Sequence, residues 1–142
     1  MKQKGESERW LREAREELKT AEWDLKGKRY SAVCFWSQQA IEKALKAYLY
    51  HMGERMIAEH SLIKLAEKCS EKNKNFKTWI GKCTTLDKYY IPTRYPNGLP
   101  YPAVPGESFT AEEAKSAIKV AKEITQFVEN LISANSKSCP DG

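Results

Sequence analysis

The sequence predicts an all-α fold: an up-and-down four-helix bundle with a short additional helix and a Pro-rich loop before the last helix. Three observations predict it. Apolar residues recur at three- and four-residue spacing along most of the chain, which is helical periodicity. No stretch reads as a convincing strand, and no internal repeat is present. Five of the six prolines gather between residues 91 and 109. The 142 residues are the size of one ordinary domain, with an expected core over residues 7 to 133 and a frayed tail over 134 to 142.

The first helix is expected from a Ser7 cap to about Lys26, with Leu11, Ala14, Leu18, Ala21 and Leu25 as its seam and Trp10 and Trp23 extending it. Gly27 ends it, and the short turn that follows favours an antiparallel neighbour. The second stretch, Tyr30 to Met52, organises the rest. It has no internal Pro or Gly, and Gly53 follows at once. Alanines 32, 40, 44 and 47 widen an apolar stripe through Val33, Cys34, Ile41, Leu45, Tyr48 and Leu49. A helix so apolar needs neighbours on more than one side, so its polar residues Gln38, Gln39, Glu42, Lys43 and Lys46 gain interest.

Ser61 reads as the N-cap of a third helix, Leu62 to about Lys72, and a fourth is expected from Phe76 to Tyr90. Residues 91 to 109 form the irregular stretch. Loops of that length inside a compact domain are usually functional or disordered. Thr110 with Glu113 forms a capping box, and the last helix is expected to reach about Ser133.

The chain carries 24 basic and 19 acidic side chains, a formal net charge of +5. The surplus is uneven: residues 60 to 90 hold seven lysines against Glu67, Glu71 and Asp87. That suits a phosphate-bearing partner, and it equally suits a solvated lysine-rich face. Cysteines 34, 69, 83 and 139 are scattered and only His51 and His60 are present, so zinc-ligand spacing is missing; neither metal nor cofactor is expected. No apolar run approaches the roughly 20 residues of a membrane span. With no secretory signal evident, the cytoplasm is the expected location.

Three motifs in order carry a resemblance: Ser37-Gln38-Gln39-Ala40-Ile41-Glu42-Lys43-Ala44-Leu45-Lys46-Ala47, then His60-Ser61-Leu62 with Leu65, then Leu86-Asp87 with Tyr89-Tyr90-Ile91-Pro92-Thr93-Arg94-Tyr95-Pro96. Together they resemble the HEPN domain family, small helical domains of higher eukaryotes and prokaryotes associated with nucleotide binding. The resemblance implies a homodimer, a nucleotide or RNA ligand, and a minimal nucleotidyltransferase as partner. It also implies an alternative, a metal-independent ribonuclease toxin of a toxin–antitoxin pair, whose signature is an Arg, then four to six intervening residues, then His. Arg94 matches the arginine, but Tyr95 to Tyr101 holds no histidine. Tyr is a poor general base near neutral pH, so no catalytic residue is assigned. A purely protein-binding helical module is the remaining reading.

The candidate ligand-binding residues are Arg94, Tyr95, Tyr90, Lys43, Lys46, Glu42 and His60. Arg94 can hold a phosphate with its planar fork while Tyr90 or Tyr95 stacks on a base; alternatively it pairs with Asp87 or Glu42 and pins the loop. Glu42 and Lys46 have the spacing of an ordinary exposed i,i+4 pair; alternatively Lys43 or Lys46 contacts phosphate. His60 either hydrogen-bonds near the helix start or faces a groove near Arg94. The tyrosines of residues 89 to 101 either anchor the loop or stack on bases.

Overall fold

The computed structural model describes the backbone of residues 2–138 and the side chains of residues 5–134. It is an all-α bundle of five helices: α1 (Lys2–Lys26), α2 (Tyr30–His51), α3 (Leu62–Lys72), α4 (Lys77–Asp87) and α5 (Ala111–Ser138). The alternating small and large apolar residues of α2 place it centrally. It packs most heavily on α1, then on α5 and α3, and lightly on α4. Val33, Ile41, Leu45 and Leu49 are fully buried along it, each such side chain stabilising the fold by about 1.5–3 kcal/mol.

The α3 and α4 helices have equal length, 11 residues each, and pack as a pair. A ring cluster ties that pair to the bundle: Phe76, just before α4, lies 4.6 Å from Tyr48 of α2 and 5.1 Å from Phe127 of α5.

The helix ends show their chemistry. Gly53 sits at φ 102°, with Glu54 N–H donating to Leu49 C=O and Gly53 N–H to Tyr50 C=O. This Schellman arrangement suits glycine. Ser61 Oγ accepts the Lys64 N–H, the predicted N-cap. The Thr110 box closes as predicted: Glu113 Oε1 accepts the Thr110 N–H and Thr110 Oγ1 accepts the Glu113 N–H.

Several boundaries differ from expectation. The α1 helix begins before Ser7, which is buried inside it rather than capping it, with no hydrogen-bond partner for its hydroxyl. Trp23 is 75% exposed and does not extend the seam. The α4 helix stops at Asp87, and the chain turns through residues 88 to 94; Pro92 disfavours a helical conformation just before it. The Pro-rich segment is a folded loop with two short 3-10 turns, Pro96–Gly98 and Pro105–Glu107. Gly98 packs so closely that a Cβ there would lie 3.0 Å from Ile91 Cγ2 and 3.1 Å from Pro92 Cα. The last helix continues to Ser138. The first part of the predicted frayed tail, residues 134 to 138, is therefore helical, and the rest, with Cys139, lies outside the described residues. Among the described residues no helix is long and apolar enough to cross a membrane.

Candidate functional site

The α2 helix presents Gln38, Glu42 and Lys46 one turn apart on a single buried row, with exposures of 0%, 4% and 3%. The Glu42–Lys46 pair is therefore not the exposed pair the spacing suggested. Lys46 Nζ lies 3.1 Å from Glu42 Oε2 and 5.4 Å from the Trp10 ring centre of α1. Such a buried pair persists only with further partners. His60 supplies one, its Nδ1 3.1 Å from the same Glu42 oxygen. A carboxylate only accepts, so the contact places a proton on Nδ1. Glu42 Oε1 and Gln38 Nε2 remain buried without a hydrogen-bond partner.

His60 stacks on Tyr90, with ring centres 6.4 Å apart and planes 13° from parallel. Tyr90 also lies against Arg94, whose guanidinium carbon is 4.5 Å from the Tyr90 ring centre and 5.0 Å from those of Phe35 and Tyr95. Arg94 Nε–H donates to the Tyr90 carbonyl at 3.1 Å. Among the described residues no carboxylate pairs with Arg94. The two expected partners are engaged elsewhere: Glu42 with Lys46 and His60, Asp87 with the start of α3. Arg94 is thus an exposed cation among three aromatic rings, held by one backbone bond, with the rest of its fork open to a ligand.

Beside it lies an open cleft of about 380 Å³, lined by His60, Ser61, Lys88 and Tyr90 among others. Tyr90 belongs to both the cleft and the Arg94 stack. The structure therefore brings Lys46, Glu42, His60, Tyr90, Arg94 and Tyr95 into one continuous chain of contacts. Lys43 does not join it. Its ammonium lies 2.9 Å from Glu17 Oε2 of α1 and faces a separate groove along α1 with Arg9, Trp10 and Glu13. Burial pushes the Glu17 carboxyl up to about 7, against the opposing pull of Lys43.

The tyrosines divide. Tyr89 anchors the loop, edge-on to Phe109 at 5.7 Å. Tyr95 is half-exposed and Tyr101 almost wholly exposed. Sequence reasoning missed Phe35 and Trp10 as parts of this region, and offered Asp87 as a partner of Arg94 where it instead holds the start of α3. Phe35 falls between the apolar Cys34 and Trp36 and reads as packing; only its contact with Arg94 distinguishes it.

The cysteine thiols Cys34, Cys69 and Cys83 are all buried, and burial pushes each well above the ordinary range, Cys34 and Cys83 to about 12. They act as core residues.

The family model for the HEPN domain matches residues 7–131. The chain belongs to the HEPN domain family. Among solved structures, TT1696 from Thermus thermophilus is 35% identical with a TM-score of 0.81, over 87% of this chain and 96% of that one. ST0689, an archaeal HEPN homologue, is 32% identical with a TM-score of 0.73, over 89% of this chain and 97% of that one. Human sacsin is 30% identical over 130 residues, which is 89% of this chain and only 3% of sacsin. A candidate toxin of Methanocaldococcus jannaschii, MJ1304, is 28% identical over 138 residues, covering 87% of this chain and 86% of that protein. These matches agree with the all-α architecture the helical periodicity predicts.

Proposed function

We propose that this HEPN domain binds a nucleotide or an RNA phosphate at the Arg94 corner, without catalysing a reaction there, and works as a dimer with a minimal nucleotidyltransferase partner in the cytoplasm. The observation that carries the reading is Arg94 itself: a guanidinium with no carboxylate partner among the described residues, stacked by Phe35, Tyr90 and Tyr95. A cation backed by rings and left with an open fork suits a phosphate oxygen, and Tyr95, half-exposed beside it, suits a base. His60, oriented by Glu42 and stacked on Tyr90, lines the adjoining cleft.

The test is thermal unfolding of wild type and Arg94→Ala with ATP, GTP, their monophosphates and a short RNA. A ligand at 100 times its dissociation constant adds about 2.7 kcal/mol of stability. The expected result is a wild-type shift that Arg94→Ala abolishes. No shift with any ligand, together with a lower melting point for Arg94→Ala alone, makes Arg94 a loop anchor and overturns the reading.

The 28% likeness to a candidate toxin favours a second reading, a ribonuclease toxin, in which His60 stands in for the histidine absent after Arg94. Purified protein that leaves tRNA and mRNA intact over hours removes it.

A further inference from the structure

Lysines 64, 68 and 72 follow one another at four-residue steps along α3, so they share a face. All three are exposed. The step between them is about 6 Å along the axis and the row is about 12 Å long. Among the described residues none of the three is in an ion pair, although Glu67 and Glu71 share the helix.

Elsewhere Lys19, Lys43, Lys46, Lys82 and Lys122 each pair with a glutamate, while Lys115 and Lys119, like the α3 row, are in no ion pair among the described residues. The α5 helix carries a comparable row, Lys115, Lys119 and Lys122, but Lys122 there is paired with Glu22 of α1.

The α3 row runs away from the cleft end of its helix. Ser61, the N-cap of α3, and Lys88 both line the cleft, and Lys74 and Lys77 follow Lys72 in the sequence. Asp87, the one carboxylate of the cleft lining, is taken up by three donors at the start of α3. Glu59 faces the row from the preceding connector. Its carboxyl is held below the usual range by the backbone N–H of Ser61 first, and by Lys64 and Lys68 as weaker causes. The acidic groups nearest the row are thus Glu59, Glu67 and Glu71, against five lysines from 64 to 77 and Lys88.

We infer that α3 is a track for successive phosphates of a single-stranded nucleic acid whose end enters the His60–Tyr90 cleft. This deepens the phosphate-binding reading of Arg94 and rests on it. The lysine step is close to that between phosphates of an extended strand. Tyr90 and Tyr95 supply rings at the end of the track, the combination of basic groove and stacking platform that single strands require. The ligand is then a polynucleotide, and affinity grows with length until the track is filled.

The experiment measures binding of UMP, a uridine dodecamer and a thymidine dodecamer over a range of salt. The variants are Arg94→Ala, the triple Lys64→Gln/Lys68→Gln/Lys72→Gln, and a control triple, Lys115→Gln/Lys119→Gln/Lys122→Gln. The dodecamers should bind wild type at least tenfold tighter than UMP. The slope of log K against log salt should flatten by about 2 in the α3 triple, as expected for three lost single-strand phosphate contacts, and stay unchanged in the control. UMP binding should be unaffected by the α3 triple and lost in Arg94→Ala.

Dodecamers no tighter than UMP overturn the track while leaving the Arg94 reading intact. So does an equal loss in both triples. No binding of any probe removes both. Wild-type binding to phosphatidylserine vesicles that depends on Lys64, Lys68 and Lys72, without strand binding, also overturns it. RNA and DNA dodecamers binding alike assign the track to the backbone; preference for RNA adds a contact to the 2′-hydroxyl.

Discussion

Asp87, the last residue of α4, accepts the backbone N–H of Leu62, the first residue of α3, at 2.9 Å. Its other oxygen accepts the Ser61 hydroxyl at 2.9 Å and the Ile63 N–H at 3.3 Å. One carboxylate therefore closes the α3–α4 pair and satisfies donors that a helix start leaves open. It also holds Ser61, which lines the cleft together with Asp87 itself.

Asp87→Ala should accordingly destabilise the fold by about 2 kcal/mol, the upper range for a lost helix cap. Urea unfolding measures the loss. Amide exchange at Leu62 and Ile63 should accelerate ahead of exchange in α2. Uniform acceleration across the molecule would show that Asp87 does not act locally at α3.

The Glu42–Lys46 pair makes a second prediction. Glu42→Leu leaves the Lys46 ammonium, 3% exposed, buried without its carboxylate, and should cost about 3–5 kcal/mol. Adding Lys46→Met should restore most of that, because an apolar pair of similar volume needs no compensation. Denaturant midpoints of the two singles and the double give the coupling. Additive losses would mean that the pair is better solvated than its burial implies.

The helices were legible in the sequence because their signals are local. The seam of α5, the Ser61 cap and the Thr110–Glu113 box each depend on residues within a turn or two. Arg94 was legible as a candidate but not its surroundings. Which carboxylate it meets depends on Asp87 and Glu42 finding other partners, and those partners come mostly from elements far away along the chain. Lys43 shows the same limit: the sequence offers it as a phosphate contact, while its partner Glu17 lies 26 positions earlier. Phe35 is not singled out by the sequence, because a ring beside a cation has the same sequence signature as a ring beside a leucine.

The end of α1 gives a third prediction. Arg29 N–H donates to Asp24 C=O and Lys28 N–H to Leu25 C=O, so the left-handed position of this Schellman turn falls on Lys28, at φ 59°, one residue after the glycine. A non-glycine residue there is strained by about 1 kcal/mol. Lys28→Gly should raise stability by about 0.5–1 kcal/mol. Gly27→Ala, where the new Cβ would meet only ordinary contacts at 3.7 Å or more, should be tolerated. Melting temperatures of the two variants check this, and a destabilised Lys28→Gly would contradict it.

Glu17 gives the last prediction, a pH dependence. Its carboxyl is raised from 4.5 to about 7 in the folded protein, burial being the largest cause. Between those values the folded chain holds a proton that the unfolded chain has released. Stability contributed by this group must therefore fall as pH rises from about 4.5 through 7, the opposite of the usual salt-bridged carboxylate. The Lys43 ammonium at 2.9 Å pulls against the shift without cancelling it. Glu17→Gln removes the titration while keeping an acceptor for Lys43. Wild type should lose about 1–3 kcal/mol from this site between about pH 5 and pH 8, and Glu17→Gln should show a correspondingly flatter profile. Denaturant midpoints at several pH values across that range decide it. Parallel profiles for the two proteins would mean that Lys43 holds Glu17 ionised throughout, and that the α1–α2 contact rests on a charged pair at every pH tested.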